Sequence, residues 1–400
     1  MFPAFFIARF QPAKVLTGKF SPYIKNINLR SILILIQFVI AVFLSTSTIV
    51  IYNQLNYIKN RELGFTKGNV ITVHIPYDAK NLRDNIDIIK HELRLNPNIS
   101  SVSFISNLPI IDQAQTDFWK ENSEGYTKMR MNFISVDYDF IKTLNIDIVK
   151  GRNYSQSFSN DKRAFIINEA AAEKLGWKNP VGKQISMRGK NDTGEIIGVI
   201  KNFHFRPLYQ KIEPIILRPG TDVNWILVKI NSKSNTETTN YIRNTIQKYS
   251  LFHKIEYSFL SNDIEQVYIS EVKFMQFFRL FCFLTIFLTC LGLLGLASFT
   301  TEQRVKEIGI RKILGASFPE LIFRLTSNFI KIVVISNFIA APIAFYFLTK
   351  WLQNFAYRVD IKIGEFLLVL IFTLFLTLFT VSFQVIKASL RNPVVALKSE

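Results

Sequence analysis

Four long apolar runs punctuate this chain at uneven intervals: Ser31–Tyr52, Met275–Phe299, Phe329–Leu348 and Phe366–Ile386. A bilayer core about 30 Å thick takes ~20 apolar residues of helix to cross. Each run has that length, and charges within the runs are rare, Lys331 near the start of the third among them. Residues 53–274, mostly polar, separate the first run from the second. The pattern predicts an α-helical membrane protein with four transmembrane helices (31–52, 275–299, 329–348, 366–386) and one large extramembrane domain between helices 1 and 2.

Within residues 53–274 the period changes, and the segment reads as mixed α/β. Asn69–Ile75 alternates as a β-branched strand, Lys80–Leu95 has helical spacing, and Ser101–Ile105 is a second strand. The same order recurs late: strand Trp225–Ile230, helix Glu237–Tyr249, strand Ile255–Phe259. Two β-α-β units so far apart predict one split subdomain, about 69–110 and 214–262, with a second subdomain of about 111–213 inserted. The insert is expected to hold strands near Asn132–Val136, Gln184–Met187 and Glu195–Val199, and a helix at Asn168–Leu175. Turns are expected at Gly151-Arg152, Asn179-Pro180 and Gly189-Lys190.

Charge sets the orientation. The net charge of +18 sits beside the helix ends and is scattered through the large domain. No stretch pairs cation density with base-stacking aromatics, so nucleic acid is not an expected partner. The leading segment, 1–30, holds Arg9, Lys14, Lys19, Lys25 and Arg30 and no acid. The connector 300–325 holds Arg304, Lys306, Arg311, Lys312 and Arg324, and the tail 387–400 holds Lys387, Arg391 and Lys398. By the positive-inside rule these three face the cytoplasm, and the large domain and the 349–365 loop face outside. No cleaved signal is expected at the start. The two cysteines, Cys282 and Cys290, lie in helix 2 and are expected to pack against lipid or a neighbouring helix. None lies in the large domain, which excludes disulfides there.

No catalytic or cofactor constellation stands out, and the chain is not expected to be an enzyme. His74, His91, His204 and His253 lack metal-ligand spacing. His204 is expected to be structural. There is no G-x-x-x-x-G-K-[ST] loop to cradle phosphates, so any ATP hydrolysis belongs to a separate subunit. The helices also lack the buried ionisable residues of a solute path. Lys331 can snorkel to the interface, and Pro342 is expected to kink helix 3. Phe118, Trp119, Trp177 and Trp225 are expected in the core.

Residues 301–317 read Thr-Glu-Gln-Arg-Val-Lys-Glu-Ile-Gly-Ile-Arg-Lys-Ile-Leu-Gly-Ala-Ser. Val305, Ile308, Ile313 and Leu314 share a broad apolar side opposite a charged one. Such a segment either lies on anionic lipid or docks into a partner protein. Arg304–Ser317 resembles the signature after the second helix of MacB/FtsX-family ABC-transporter permeases. The helix layout, Gly198–Phe205 (Gly-Val-Ile-Lys-Asn-Phe-His-Phe), the 351–361 stretch and Arg391–Leu397 resemble that family too. The resemblance implies that Arg304, Lys306, Glu307, Ile308, Arg311 and Lys312 couple the chain to an ABC ATPase subunit. It implies a second permease module, as homo- or heterodimer, and an inner-membrane location. It further implies that ATP-driven motion is relayed to a porter-like periplasmic domain, for efflux, lipoprotein release or control of a cell-wall hydrolase, with a periplasmic adaptor or envelope protein as partner. Ala8–Leu16 is similar to Ala388–Leu397, which suggests the second half of a tandem permease. The alternative function is a membrane-anchored sensor or scaffold without ATP coupling.

Overall fold

The computed structural model describes residues 29–111, 114–122, 125–187, 192–231, 236–250, 253–303 and 318–389. They fall into two compact units. One comprises the described residues of 1–51, 276–349 and 361–400; the other comprises those of 52–275 and 350–360.

The first unit is helical. Its residues come from α1 (Leu29–Asn60), α8 (Ile269–Gln303), α9 (Phe318–Leu352) and α10 (Ile363–Ser389). Among the described residues these are the four helices long and apolar enough to cross a membrane. Each outlasts the apolar run that announced it, because helical hydrogen bonding continues into polar sequence. Large side chains such as Phe283, Phe338 and Phe379 point outward and are exposed. That arrangement suits a hydrocarbon solvent, where helix association relies on close packing and polar contacts. The seam is built so: Ile34, Phe38, Leu293, Ala297, Phe329 and Val333 interlock. Asn337 Nδ2 donates to Thr373 Oγ1 at 3.2 Å, and Ser336 Oγ to the Leu35 carbonyl at 3.2 Å. Cys282 Sγ lies 3.3 Å from Ser45 Oγ and is half-buried. Pro342 sits inside α9, which runs through it.

The second unit is built on one mixed sheet of eleven strands. In chain order they are β1 (Val70–His74), β2 (Ile99–Ile105), β3 (Gln115–Asn122), β4 (Gly125–Val136), β5 (Ile148–Gly151), β6 (Phe165–Asn168), β7 (Gln184–Met187), β8 (Thr193–Ile200), β9 (Ile215–Pro219), β10 (Trp225–Ile230) and β11 (Tyr257–Phe259). The shorter helices are α2 (Lys80–Asp84), α3 (Ile86–Arg94), α4 (Phe140–Leu144), α5 (Glu169–Lys174), α6 (Thr236–Gln247) and α7 (Leu260–Val267).

At one end the order is β11-β1-β10-β2, all antiparallel neighbours. Strands from the two β-α-β units therefore alternate: β10 lies between β1 and β2, and β1 between β10 and β11. Alternate side chains serve opposite faces. Ile71, Val73, Ile226 and Val228 pack under α3 and α6 with Ile89, Leu93, Ile242 and Ile246. Val70 and Leu227 point the other way, into a core with Leu260, Ile264, Phe140 and Phe203.

At the other end β4-β3-β7-β8-β6-β9 returns to β4 through the parallel β4–β9 pair, closing a ring of six strands. Phe118, Phe165, Ile185, Ile196 and Ile216 fill one cluster there, with Leu175 beyond α5. Phe118 is core as expected. Trp119, Trp177 and Trp225 are only half-buried. Their rings carry cationic or imidazole neighbours: Lys128 over Trp119, Lys120 and Lys183 over Trp177, and His74 against Trp225.

Two differences from the sequence reading have clear causes. The helix expected over 80–95 breaks at Asn85, whose side chain donates to the Asn81 carbonyl at 2.8 Å and competes with the helix for it. The strand expected over 132–136 begins at Gly125 and forms a hairpin with β3. The outer part of that hairpin carries Asp117, Lys120, Lys128 and Arg130, which disguise a strand as a polar loop.

Candidate functional site

No group of three His, Cys, Asp or Glu able to hold a metal occurs among the described residues. What converges instead is a set of segments with no catalytic pattern: residues 52–61, 203–212, 268–274 and 351–359, all in the sheet-bearing unit.

Gln54, on the last turns of α1, is completely buried. Its Nε2 donates to the Tyr357 carbonyl at 2.9 Å, and its Oε1 accepts from the Val359 N–H at 2.9 Å. One side-chain amide thus ties down two backbone groups of the 351–359 segment. Two turns on, Arg61 donates to the Tyr57 hydroxyl and lays its guanidinium over the Tyr357 ring, 4.2 Å from the centroid. The His204 ring meets Tyr357 edge-on, with centroids 4.9 Å apart.

The segment after β8 supplies the rest. The Ala356 N–H donates to the Tyr209 carbonyl at 3.1 Å, and the Tyr209 ring packs on Phe355 at 4.9 Å and on Tyr268 at 5.8 Å. The Tyr268 hydroxyl accepts from the Leu208 N–H at 2.9 Å. Trp351 joins through Phe355, 5.0 Å away, and Phe274, 6.3 Å away. Below this layer the His204 N–H donates to the Leu63 carbonyl at 2.7 Å. Gly64 turns there with φ 80°, and a Cβ at that position would press into Asn202 and Phe203.

Burial, reinforced by Arg61, lowers the His204 pKa to about 4, so the ring is neutral at neutral pH. Burial and a hydrogen bond from its hydroxyl to Glu271 raise the Tyr209 pKa. Burial raises the pKa of the neighbouring Tyr268 as well. The arrangement can hold the 351–359 segment fast. Residues 198–205 and 351–361 lie far apart in the chain, and nothing in their spacing announces that they touch.

Arg304, Lys306, Glu307, Ile308, Arg311 and Lys312 lie outside the described residues, as do Ala8–Leu16 and Arg391–Leu397. Of that region the structure describes only the flanks, α8 to Gln303 and α9 from Phe318.

Residues 31–244 match the MacB-like periplasmic core domain, and residues 279–393 match the FtsX-like permease C-terminal domain. No curated protein matches the chain. Among solved structures, the periplasmic region of MacB from Actinobacillus actinomycetemcomitans is similar at 14% identity and TM-score 0.38, covering 52% of this chain and 96% of that one. The extracellular domain of the noncanonic ABC-type transporter YknZ from Gram-positive bacteria is similar at 17% identity and TM-score 0.35, covering 48% and 98%. The assignment rests on the two sequence matches, the first of which alone spans more than half the chain: this protein belongs to the MacB/FtsX family of ABC-transporter permeases.

Proposed function

We propose that the chain relays the motion of a separate ABC ATPase across the inner membrane to its own sheet-bearing domain. The 304–317 segment is the contact with the ATPase, through Arg304, Lys306, Glu307, Ile308, Arg311 and Lys312. Charged side chains of both signs there suit charge-assisted contacts with a protein surface. Both termini and the 300–325 connector lie in the cytoplasm, and residues 53–274 and 349–365 lie in the periplasm. A second permease module pairs with this one around two ATPase subunits. The output is efflux, lipoprotein release or control of a cell-wall hydrolase, delivered through a periplasmic adaptor or envelope protein.

The observation that carries the reading is the pinned 351–359 segment. Residues 350–360 belong to the same compact unit as 52–275, which supports their sharing one side of the membrane. The chain enters that unit three ways: along α1, along α8, and through the loop between α9 and α10. α1 and α8 continue from apolar into polar sequence without a break. An unbroken helix transmits displacement along its axis far better than a loop does. Hydrogen bonds from Gln54 to the Tyr357 carbonyl and from the Ala356 N–H to the Tyr209 carbonyl tie the third connection to the same unit.

The test is purification from native membrane, with ATP hydrolysis assayed on the same sample. A co-purifying ATPase whose activity responds to the permease, and loses that response in R311E/K312E with folding and insertion intact, is the expected result. A folded chain with no ATPase and no hydrolysis would overturn the reading in favour of a sensor or scaffold.

A further inference from the structure

On the flank of the six-stranded ring lies a cavity of about 560 Å³, within the range of small-molecule sites. It is bounded by the end of β5, the loop that follows, and β8. Its lining combines three kinds of chemistry. The first is a fixed cation: Arg152 makes a paired contact with Asp161, at 2.7 and 2.8 Å, and Asp161 is 1% exposed. Asp161 also accepts from the Ser155 N–H at 2.8 Å, so the carboxylate that holds Arg152 is itself held. The second is an aromatic surface: Phe158 is 53% exposed, with one face of its ring covered by the Arg152 guanidinium, 4.2 Å from the centroid. The third is a carboxylate, Glu195, which lines the cavity and lies close enough to Arg152 to help raise its pKa. Asn160 adds an amide, and Val181 and Ile197 an apolar wall.

Phe158 leaves about half of its surface open beside these polar groups, at 53% exposed. The guanidinium keeps donors beyond those given to Asp161 and the Asn153 carbonyl. Planar polar groups around one aromatic face are complementary to a pyranose ring. Its axial C–H bonds meet the aromatic face, and adjacent hydroxyls meet the fork of a guanidinium, amide or carboxylate. The wall of Val181 and Ile197 adds room for a methyl group beside such a ring.

We propose that this cavity binds a saccharide, and that a sugar carrying an acetamido group fits it best. Phe158 is the aromatic surface, Arg152, Asn160 and Glu195 hold hydroxyls or the amide, and the acetyl methyl meets Val181 and Ile197. The inference rests on the outward placement of this domain proposed above. It does not rest on ATP coupling. A permease whose moving domain grips an envelope glycan would have an anchor against which to work.

The probe is N,N′-diacetylchitobiose, titrated against the full chain in lipid nanodiscs and read by saturation-transfer NMR, with cellobiose as the hydroxyl-only control. Because the assay reads binding alone, its failure is distinct from failure of the coupling reading. The expected result is saturable binding in the millimolar range with strong transfer to the acetyl methyl protons, and cellobiose weaker by at least about fivefold. F158A is expected to weaken binding at least about tenfold, and E195Q, which changes no packing, by about threefold or more. Absence of saturable binding, or binding unchanged in both variants, would overturn the site. Equal affinity for the two disaccharides would overturn the acetamido assignment.

Discussion

Replacing Gln54 by leucine is the sharpest probe of the pinned loop, because volume is nearly kept while both hydrogen bonds go. The Tyr357 carbonyl and the Val359 N–H each lose a partner at 2.9 Å. A buried polar group left unpaired costs about 1–3 kcal/mol. Tyr357 and Val359 are half-buried, so water can reach part of the way, and the lower end applies. Two such losses give about 2 kcal/mol off the local stability of residues 355–359. Opening that segment then becomes roughly 30-fold easier. Amide hydrogen exchange on the full chain reads this directly: Val359 should exchange roughly 30-fold faster in Q54L, while amides in β1 and β10 keep their wild-type rates. If the segment is a mechanical link, ATP hydrolysis by the partner should persist in Q54L while the periplasmic output falls. Unchanged Val359 exchange would refute the clamp outright, and accelerated exchange with full output would refute its role in transmission.

Further outcomes follow from the same structure. With His204 at about 4 in the folded state against about 6.5 unfolded, the unfolded chain binds the extra proton, so stability is complete above pH 6.5 and falls as pH drops towards 4. The loss reaches about 3 kcal/mol below pH 4 and about 2 kcal/mol at pH 5, and thermal unfolding at pH 7.5 and 5 should show that difference in wild type but not in H204Q. Gly198 lies against the Arg152 backbone where a Cβ has no room, so G198A should cost about 1–3 kcal/mol in the melting of the sheet-bearing domain. R311E/K312E should abolish stimulation of the partner ATPase while leaving that melting transition unchanged.

Much of the fold could be read from the sequence because its signals were local. The apolar runs located the long apolar helices, since length and hydrophobicity suffice. Trp225–Ile230 was legible as a strand to the residue, since Ile226, Leu227 and Val228 are buried on two faces and leave an apolar run. β6 and β9 were not singled out; Phe165–Asn168 is too short for a period to show. The clamp was illegible for another reason. Its partners are a glutamine in an apolar helix, an imidazole and two tyrosines, each unremarkable alone and separated by long stretches of chain. Only the sheet brings them together. Arg152 and Asp161 are nine positions apart and read as ordinary surface charge, until β5 lies down on β8 and buries the carboxylate.

The alternation of β11, β1, β10 and β2 also governs how the domain is made. β1 and β2 leave the ribosome early, but neither has the other as neighbour; each pairs with β10, in registers such as Val70↔Lys229 and Trp225↔Ile105. β1 therefore has no partner strand until Trp225–Ile230 has been synthesised, and until then β2 has only its Ile105↔Val136 bridge to β4. Such long-range closure makes folding slow and leaves apolar strands waiting. If residues 53–274 are exported, they must cross the membrane and remain unaggregated before β10 arrives to zip the first strands together. Their biogenesis should then depend on holding chaperones on the far side. A chain stopped just short of residue 225 should be degraded, whereas one stopped after β11 should survive.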